Sequence, residues 1–166
     1  MKASPVPSNK DLAEFYRLAL ASRLCAPADV AAWADTIVAA EENPDPVFLD
    51  LSCSGSLRAD VVQTALHEVP GSINGNLPVY LLLGHGSRVL AAGGLPAGDL
   101  LLRLHALARL EAMPSDVDDE LSSLEDAYSL ACDGVFGTLA EFGQRVAEFL
   151  ARYDAFVPPA VLAPIR

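Results

Sequence analysis

A histidine between two glycines is the arrangement in this chain that comes closest to a chemical site. His85 lies between Gly84 and Gly86 and is followed by Ser87. Histidine can exchange a proton near neutral pH, and glycine lets a ligand approach the backbone closely. His85 and Ser87 therefore form a candidate ligand site. The same glycines are also typical of a broken or tightly packed helix, and this second interpretation is favoured.

Carboxylates concentrated in one stretch form a second candidate site. From Leu110 to Asp133 the chain carries eight acidic residues and no lysine or arginine, and Ala28–Leu57 carries six without a base. Acids near a helix start complement the helix dipole, but that accounts for only three or four of the fourteen. We therefore predict an acidic surface that a basic partner would bind, made of Glu111, Asp116, Asp118, Asp119, Glu120, Glu125 and Asp126.

Other motifs for metal or covalent chemistry do not have the required spacing. The run from Asp116 to Glu120 is like the start of a calcium-binding loop, but Leu121 stands where such a loop needs glycine. The residues around Ser54 lack the leading glycine of a nucleophile elbow. Cysteine and histidine spacings match no zinc motif. We predict no catalytic residue, no metal site and no cofactor.

Composition excludes several classes of partner. The 166 residues carry a formal charge of −11 and are 52% hydrophobic. Nucleic acids and anionic membranes both attract the opposite charge, so neither is an expected partner. No segment reaches the roughly 20 apolar residues that a membrane span needs.

The amino terminus predicts a cytoplasmic protein. Pro5 and Pro7 interrupt the region where a signal peptide would become apolar, and acidic residues follow at once. Three widely spaced cysteines are typical of reduced thiols, and we predict that Cys25, Cys53 and Cys132 lie in the core.

Helix signals recur about every 20 residues and predict an all-α fold. The expected architecture is an irregular multi-helix bundle or a short stack of helix pairs, with seven to eight helices. Val47–Cys53 and Val79–Leu83 are apolar runs that fit either a helix or a short strand. Residues do not recur as a consensus at a fixed period, so no repeat family is indicated.

Capping signals and apolar stripes locate the clearest helices. Ser8 with Asp11, and Thr138 with Glu141, have the spacing of a capping box, and Ser56 and Ser115 are predicted to cap two further helices. Trp33 belongs to an apolar stripe and is predicted to be buried, as are Phe142, Val146 and Phe149.

The chain length fits one domain. We expect an extended or disordered amino terminus over residues 1–7, a single helical domain over 8–154, and an extended tail containing prolines over 155–166.

These observations favour a non-enzymatic protein that binds a basic protein partner. Immunity proteins neutralise basic toxins in this way, and the analogy is one of composition alone. Two alternatives stay open. One is a small-molecule-binding protein or enzyme with its site around Gly84-His85-Gly86, and the other is a scaffold subunit that forms homo-oligomers.

Overall fold

The computed structural model describes residues 6–159 and is helical over 68% of them. A short 3-10 turn over Asp154–Phe156 follows the last α-helix. The described part of the chain contains eight α-helices: α1 (Asn9–Ala21), α2 (Pro27–Ala40), α3 (Pro46–Ser52), α4 (Ala59–His67), α5 (Leu77–Ala91), α6 (Ala97–Ala108), α7 (Ser115–Cys132) and α8 (Leu139–Ala151).

The predicted all-α fold is confirmed, with no strand among residues 6–159. Both ambiguous segments are helical. Val47–Cys53 lies almost entirely in α3, where Asp45 caps the first turn by accepting a hydrogen bond from the Val47 N–H at 3.0 Å. Val79–Leu83 lies in α5, which continues without a break through both of its glycines.

Both predicted capping boxes are present. The Ser8 hydroxyl accepts from the Asp11 N–H at 3.1 Å, and the Thr138 hydroxyl accepts from the Glu141 N–H at 3.1 Å. The other two predicted caps are wrong. Helix α4 has Arg58 as its N-cap rather than Ser56, and Ser115 is the first residue of α7, after Pro114.

The described residues form two compact units, 6–78 together with 158–159, and 79–157. Helix α5 begins at this boundary and lies almost wholly in the second unit. The single domain expected over residues 8–154 stays a prediction. The expected tail begins with the 3-10 turn, and residues 1–5 and 160–166 lie outside the described residues.

Aromatic packing forms the core of the first unit, in which α1 contacts α4 and α3 contacts both α2 and α4. Trp33 is buried, as predicted. Its ring stacks on Tyr16 at a centroid distance of 4.9 Å and meets the edge of Phe48 at 5.7 Å. These contacts join α1, α2 and α3 through side chains from three separate parts of the sequence.

Asp11 connects the start of α1 to the loop after α4. Its carboxylate accepts hydrogen bonds from the Ser8 N–H at 2.9 Å, the Ser8 hydroxyl at 2.8 Å and the Asn74 N–H at 2.7 Å. Burial raises the pKa of Asp11, but these hydrogen bonds favour the charged form, and the pKa is lowered from its ordinary value of 3.8.

Helices α6, α7 and α8 contact one another in the second unit. Phe142, Val146 and Phe149 of α8 are buried, as predicted from their spacing. Arg152 lies over the Phe149 ring, with its guanidinium carbon 5.8 Å from the ring centroid. The apolar stripe of α8 is therefore its buried face.

Each unit contains a helix-to-helix connection with the same backbone geometry, and the two connections lie 70 residues apart in the sequence. After α1, the Leu24 N–H donates to the Ala19 carbonyl at 2.7 Å, and after α5 the Gly94 N–H donates to the Val89 carbonyl at 2.9 Å. The residue before each donor has a positive φ, 57° at Arg23 and 71° at Gly93. Equivalent buried positions follow in the next helix, Val30, Ala34 and Ile37 in α2 and Leu100, Leu104 and Leu107 in α6.

This likeness lies in backbone geometry rather than in residue identity. The connection needs one left-handed residue and an extended N-cap, which different residue types can supply. Asp29 and Asp99, the third residues of α2 and α6, are among the few matching side chains. A search for repeated residues therefore does not detect it.

We predict that Phe149→Ala lowers the free energy of unfolding by roughly 3–5 kcal/mol, because the ring is 1% exposed and its removal leaves a cavity. Phe136→Ala is the matched control, since that ring is 76% exposed and should change stability by less than about 0.5 kcal/mol. Urea titrations measure both. A loss below about 1 kcal/mol for Phe149→Ala would contradict the packing described.

We predict that Asp11→Asn lowers stability by about 1–3 kcal/mol at pH 7, because the amide cannot replace a carboxylate that accepts three hydrogen bonds. A lowered pKa means that the carboxylate stabilises the fold above its ordinary pKa of 3.8 and loses this effect as the pH falls below it. The difference from wild type should therefore shrink below about pH 4. The exposed Asp35→Asn, measured in parallel, removes one carboxylate from the surface and should change stability by less than about 0.5 kcal/mol.

Candidate functional site

Helix α7 is the element that positions most of the predicted acidic surface. Val117, Leu121 and Leu124 are buried at spacings of four and three residues, so one face of α7 packs against α6 and α8. The helix carries six acidic residues and no lysine or arginine, and the exposed Asp118, Asp119 and Asp126 lie on the side away from this stripe. Its opposite face is therefore acidic.

Four of these carboxylates form the outer face of α7. Asp118, Asp119 and Asp126 are exposed and Glu125 is half-buried. Asp118 and Glu125 are seven residues apart, as are Asp119 and Asp126, so each pair lies on one side of the helix, two turns apart. We call these four residues the acidic face.

The remaining acidic residues of the predicted surface lie elsewhere. Glu120 is 3.7 Å from Arg152 of α8, between Oε1 and Nη2. Asp116 is exposed near the start of α7, and its negative charge adds to burial in raising the pKa of Tyr153. Glu111 is half-buried in the connection between α6 and α7. The structure thus brings four of the seven predicted residues together on one outer surface.

Exposed apolar side chains continue the surface at the carboxyl end of α7. Leu130 is 41% exposed, between Asp126 and Asp133 on the same side of the helix. Helix α7 ends at Cys132 with Asp133 as its C-cap, and the next residue, Gly134, has the left-handed conformation with a φ of 65°. The following Val135 and Phe136 are 70% and 76% exposed, so the chain turns two large apolar side chains outward.

A cavity of about 480 Å³ lies between α7, this turn and the start of α8. The floor is apolar, with the buried Phe142 ring and two half-buried alanines, Ala127 and Ala131. Phe136 stands at its exposed edge. The polar lining comes from the start of α8, where Glu141 accepts hydrogen bonds from the Thr138 N–H and hydroxyl, and from the exposed Arg145.

A smaller cavity of about 210 Å³ lies next to the same Phe142 ring. The Tyr128 ring packs against Phe142 at a centroid distance of 4.9 Å, tilted by 38°, and lines this second cavity together with Gly98 and Asp99. A Cβ on Gly98 would come within 2.6 Å of the Tyr128 ring, so glycine lets this ring lie directly on α6.

The residues of the larger cavity were not predicted from the sequence. The sequence signal is the pair Ala127 and Ala131, one turn apart beside Tyr128, which continues the stripe of Leu121 and Leu124. Small residues next to a packed seam leave unfilled space, but only the position of the neighbouring helix shows whether something else fills it.

His85, the other candidate site residue, lies inside α5 and is 1% exposed. A Cβ on Gly84 would lie 2.5 Å from the Tyr153 carbonyl oxygen and from Val157 Cγ2, so Gly84 permits a close approach of α5 to the end of α8. A Cβ on Gly86 would make only ordinary contacts, at 3.7 Å from Leu100. Neither cavity described above is lined by His85 or by the half-buried Ser87.

Two of the three cysteines contradict the predicted core location. Cys53 and Cys132 are exposed, because one caps the end of α3 and the other is the last residue of α7, where the packed face has ended. Cys25 is half-buried, and burial raises the pKa of its thiol.

Within residues 6–159, no cluster of three or more potential ligand residues could hold a metal ion. Across the same range, none of the helices has the length and apolarity that crossing a membrane requires. None of the protein families, curated proteins and solved structures compared with this chain matches it.

We predict opposite effects for alanine at the two glycines that flank His85. In a helix interior alanine is more favourable than glycine by about 1 kcal/mol. Gly86→Ala should therefore leave stability unchanged or raise it by up to that amount. Gly84→Ala should lower it by about 1–3 kcal/mol, because the added methyl group overlaps the Tyr153 carbonyl and Val157. Thermal unfolding of the two variants and of wild type measures both changes in stability. Equal stabilities would mean that packing does not explain the glycine at position 84.

Proposed function

We propose that this protein acts by binding a basic protein partner through the outer surface of α7, and that it is not an enzyme. The acidic face carries this proposal. Asp118, Asp119, Glu125 and Asp126 point away from the packed side of a helix that has no base of its own. A surface of uncompensated like charges lowers the stability of the isolated protein slightly, and an oppositely charged partner removes that repulsion.

The apolar side chains next to the acidic face distinguish it from a surface that only confers solubility. Leu130, Val135 and Phe136 are large and exposed, and they follow the carboxylates along the chain. Protein interfaces commonly combine a central apolar or aromatic contact with a charged rim. The other acidic stretch, Ala28–Leu57, uses two of its carboxylates within its own helices, since Asp29 accepts from the Ala26 N–H and Asp45 caps α3.

Capture from a lysate of the organism of origin identifies the partner. The bait is used in three forms: wild type, an α7 variant with Asp118→Asn, Asp119→Asn and Asp126→Asn, and a control with Asp35→Asn, Glu41→Gln and Glu42→Gln. Both variants lose three negative charges from exposed residues, so they differ only in where the charge is removed. A protein retained by wild type and control but lost with the α7 variant is the expected result.

We predict that association with the captured protein is fast and slows steeply with salt, because attraction between exposed charges is screened beyond about 8 Å at physiological ionic strength. The α7 variant should associate more slowly than wild type, and the control variant should keep most of the wild-type rate. Stopped-flow measurements at low and high salt test this. An acidic partner, or a rate that depends on neither salt nor the α7 carboxylates, would contradict the proposal.

A further inference from the structure

Two small residues of α7 border the cavity between α7 and α8. Val117, Leu121 and Leu124 fill the contact between α7 and its neighbours, they are at most 1% exposed, and Tyr128 continues this packed side against Phe142. Beside Tyr128, the lining residues Ala127 and Ala131 leave about 480 Å³ open next to Phe142. This volume is at the lower end of the roughly 300–1,000 Å³ of ligand pockets, and suits a small group such as a single large side chain.

The edge of the cavity has the composition of a protein-binding surface. Phe136 lines it and is 76% exposed, and the exposed Leu130, Val135 and Leu139 lie within three residues of its lining along the chain. Exposed apolar side chains next to a concave pocket are typical of an interaction site. Aromatic side chains at such positions supply much of the binding energy in protein interfaces.

The charges near the cavity favour one kind of partner segment as its occupant. Asp126 and Asp133 lie on either side of the exposed Leu130 along α7, and Glu141 lines the cavity itself. Arg145 is the one basic residue in that lining. An approaching segment therefore meets more negative than positive charge, which favours lysine and arginine beside its apolar anchor. A second copy of this chain would bring its own charge of −11.

We propose that this cavity is the anchor pocket of the interface: it takes one aromatic or long aliphatic side chain from a basic segment of the partner, whose flanking lysines or arginines contact the carboxylates of α7. This inference rests on the proposed function for the charge of the partner. The anchor itself rests on the cavity and its apolar edge.

The test uses three short peptides as probes, with affinity measured by calorimetry and the site by backbone NMR shifts. Acetyl-Lys-Lys-Phe-Lys-Lys-amide offers both the anchor and the charge. The same peptide with alanine in place of phenylalanine keeps only the charge, and the same peptide with four glutamates in place of the lysines keeps only the anchor. We expect the first to bind about tenfold or more tightly than either of the others, with shifts centred on Ala127, Ala131 and Phe142.

Two substitutions of equal size separate filling the cavity from adding an apolar residue. Ala131→Leu fills the cavity and should weaken binding of the phenylalanine peptide about tenfold or more, down to the level of the alanine peptide. Ala32→Leu adds the same atoms at an exposed position of α2 and should leave binding unchanged. Both variants retain helix-favouring residues, and their melting temperatures verify folding.

The outcomes separate this inference from the proposed function. Equal binding of the phenylalanine and alanine peptides, or no effect of Ala131→Leu, overturns the anchor pocket even if salt and the α7 amide variant weaken both peptides. Equal binding of the lysine and glutamate peptides overturns the basic partner, and with it the proposed function, while the anchor remains. Self-association of the chain in sedimentation experiments that Phe136→Ser abolishes would make a second copy the occupant and overturn the inference.

Discussion

The burial of α5 is the constraint on which the second unit depends. Residues 81–86 are buried without interruption, so more than one full turn of this helix has no face in contact with solvent. Such a helix must be apolar around its circumference and small wherever a neighbour comes closest. Leu81, Leu82 and Leu83 meet the first condition and Gly84 the second, since its Cα faces the Tyr153 carbonyl. The histidine that follows is held in the interior by this packing.

Helix α7, in contrast to α5, is buried along only one side. One stripe of Val117, Leu121 and Leu124 holds it to its unit, and most of the remaining circumference carries carboxylates, serines and Leu130. Because Ala127 and Ala131 stand near its end, the same helix supplies both an acidic outer face and the wall of a cavity. Charge and apolar contact therefore meet at one end of α7, and this combination gives the binding proposal its physical basis.

The sequence by itself determined features that depend on neighbours within about one helical turn. The capping boxes at Ser8 and Thr138 form because both partners lie three residues apart, so no distant contact is needed. The helical spacing of Phe142, Val146 and Phe149 likewise predicted their burial, because it places all three side chains on one side of α8. The absence of bases from Leu110 to Asp133 is likewise a property of the sequence, and it predicted an acidic helix surface.

Only the tertiary structure decided what depends on the approach of separate elements. Glu120 has the same sequence context as Asp119, but its side of α7 faces α8, so it meets Arg152 while Asp119 faces solvent. Gly84 and Gly86 flank the same histidine, but a methyl group would overlap a carbonyl oxygen at one and fit at the other. The cavity at Ala127 and Ala131 also requires that Phe142 cover its floor and no other side chain fill it. Such properties are set by distances between residues far apart in the chain, which residue type and spacing do not contain.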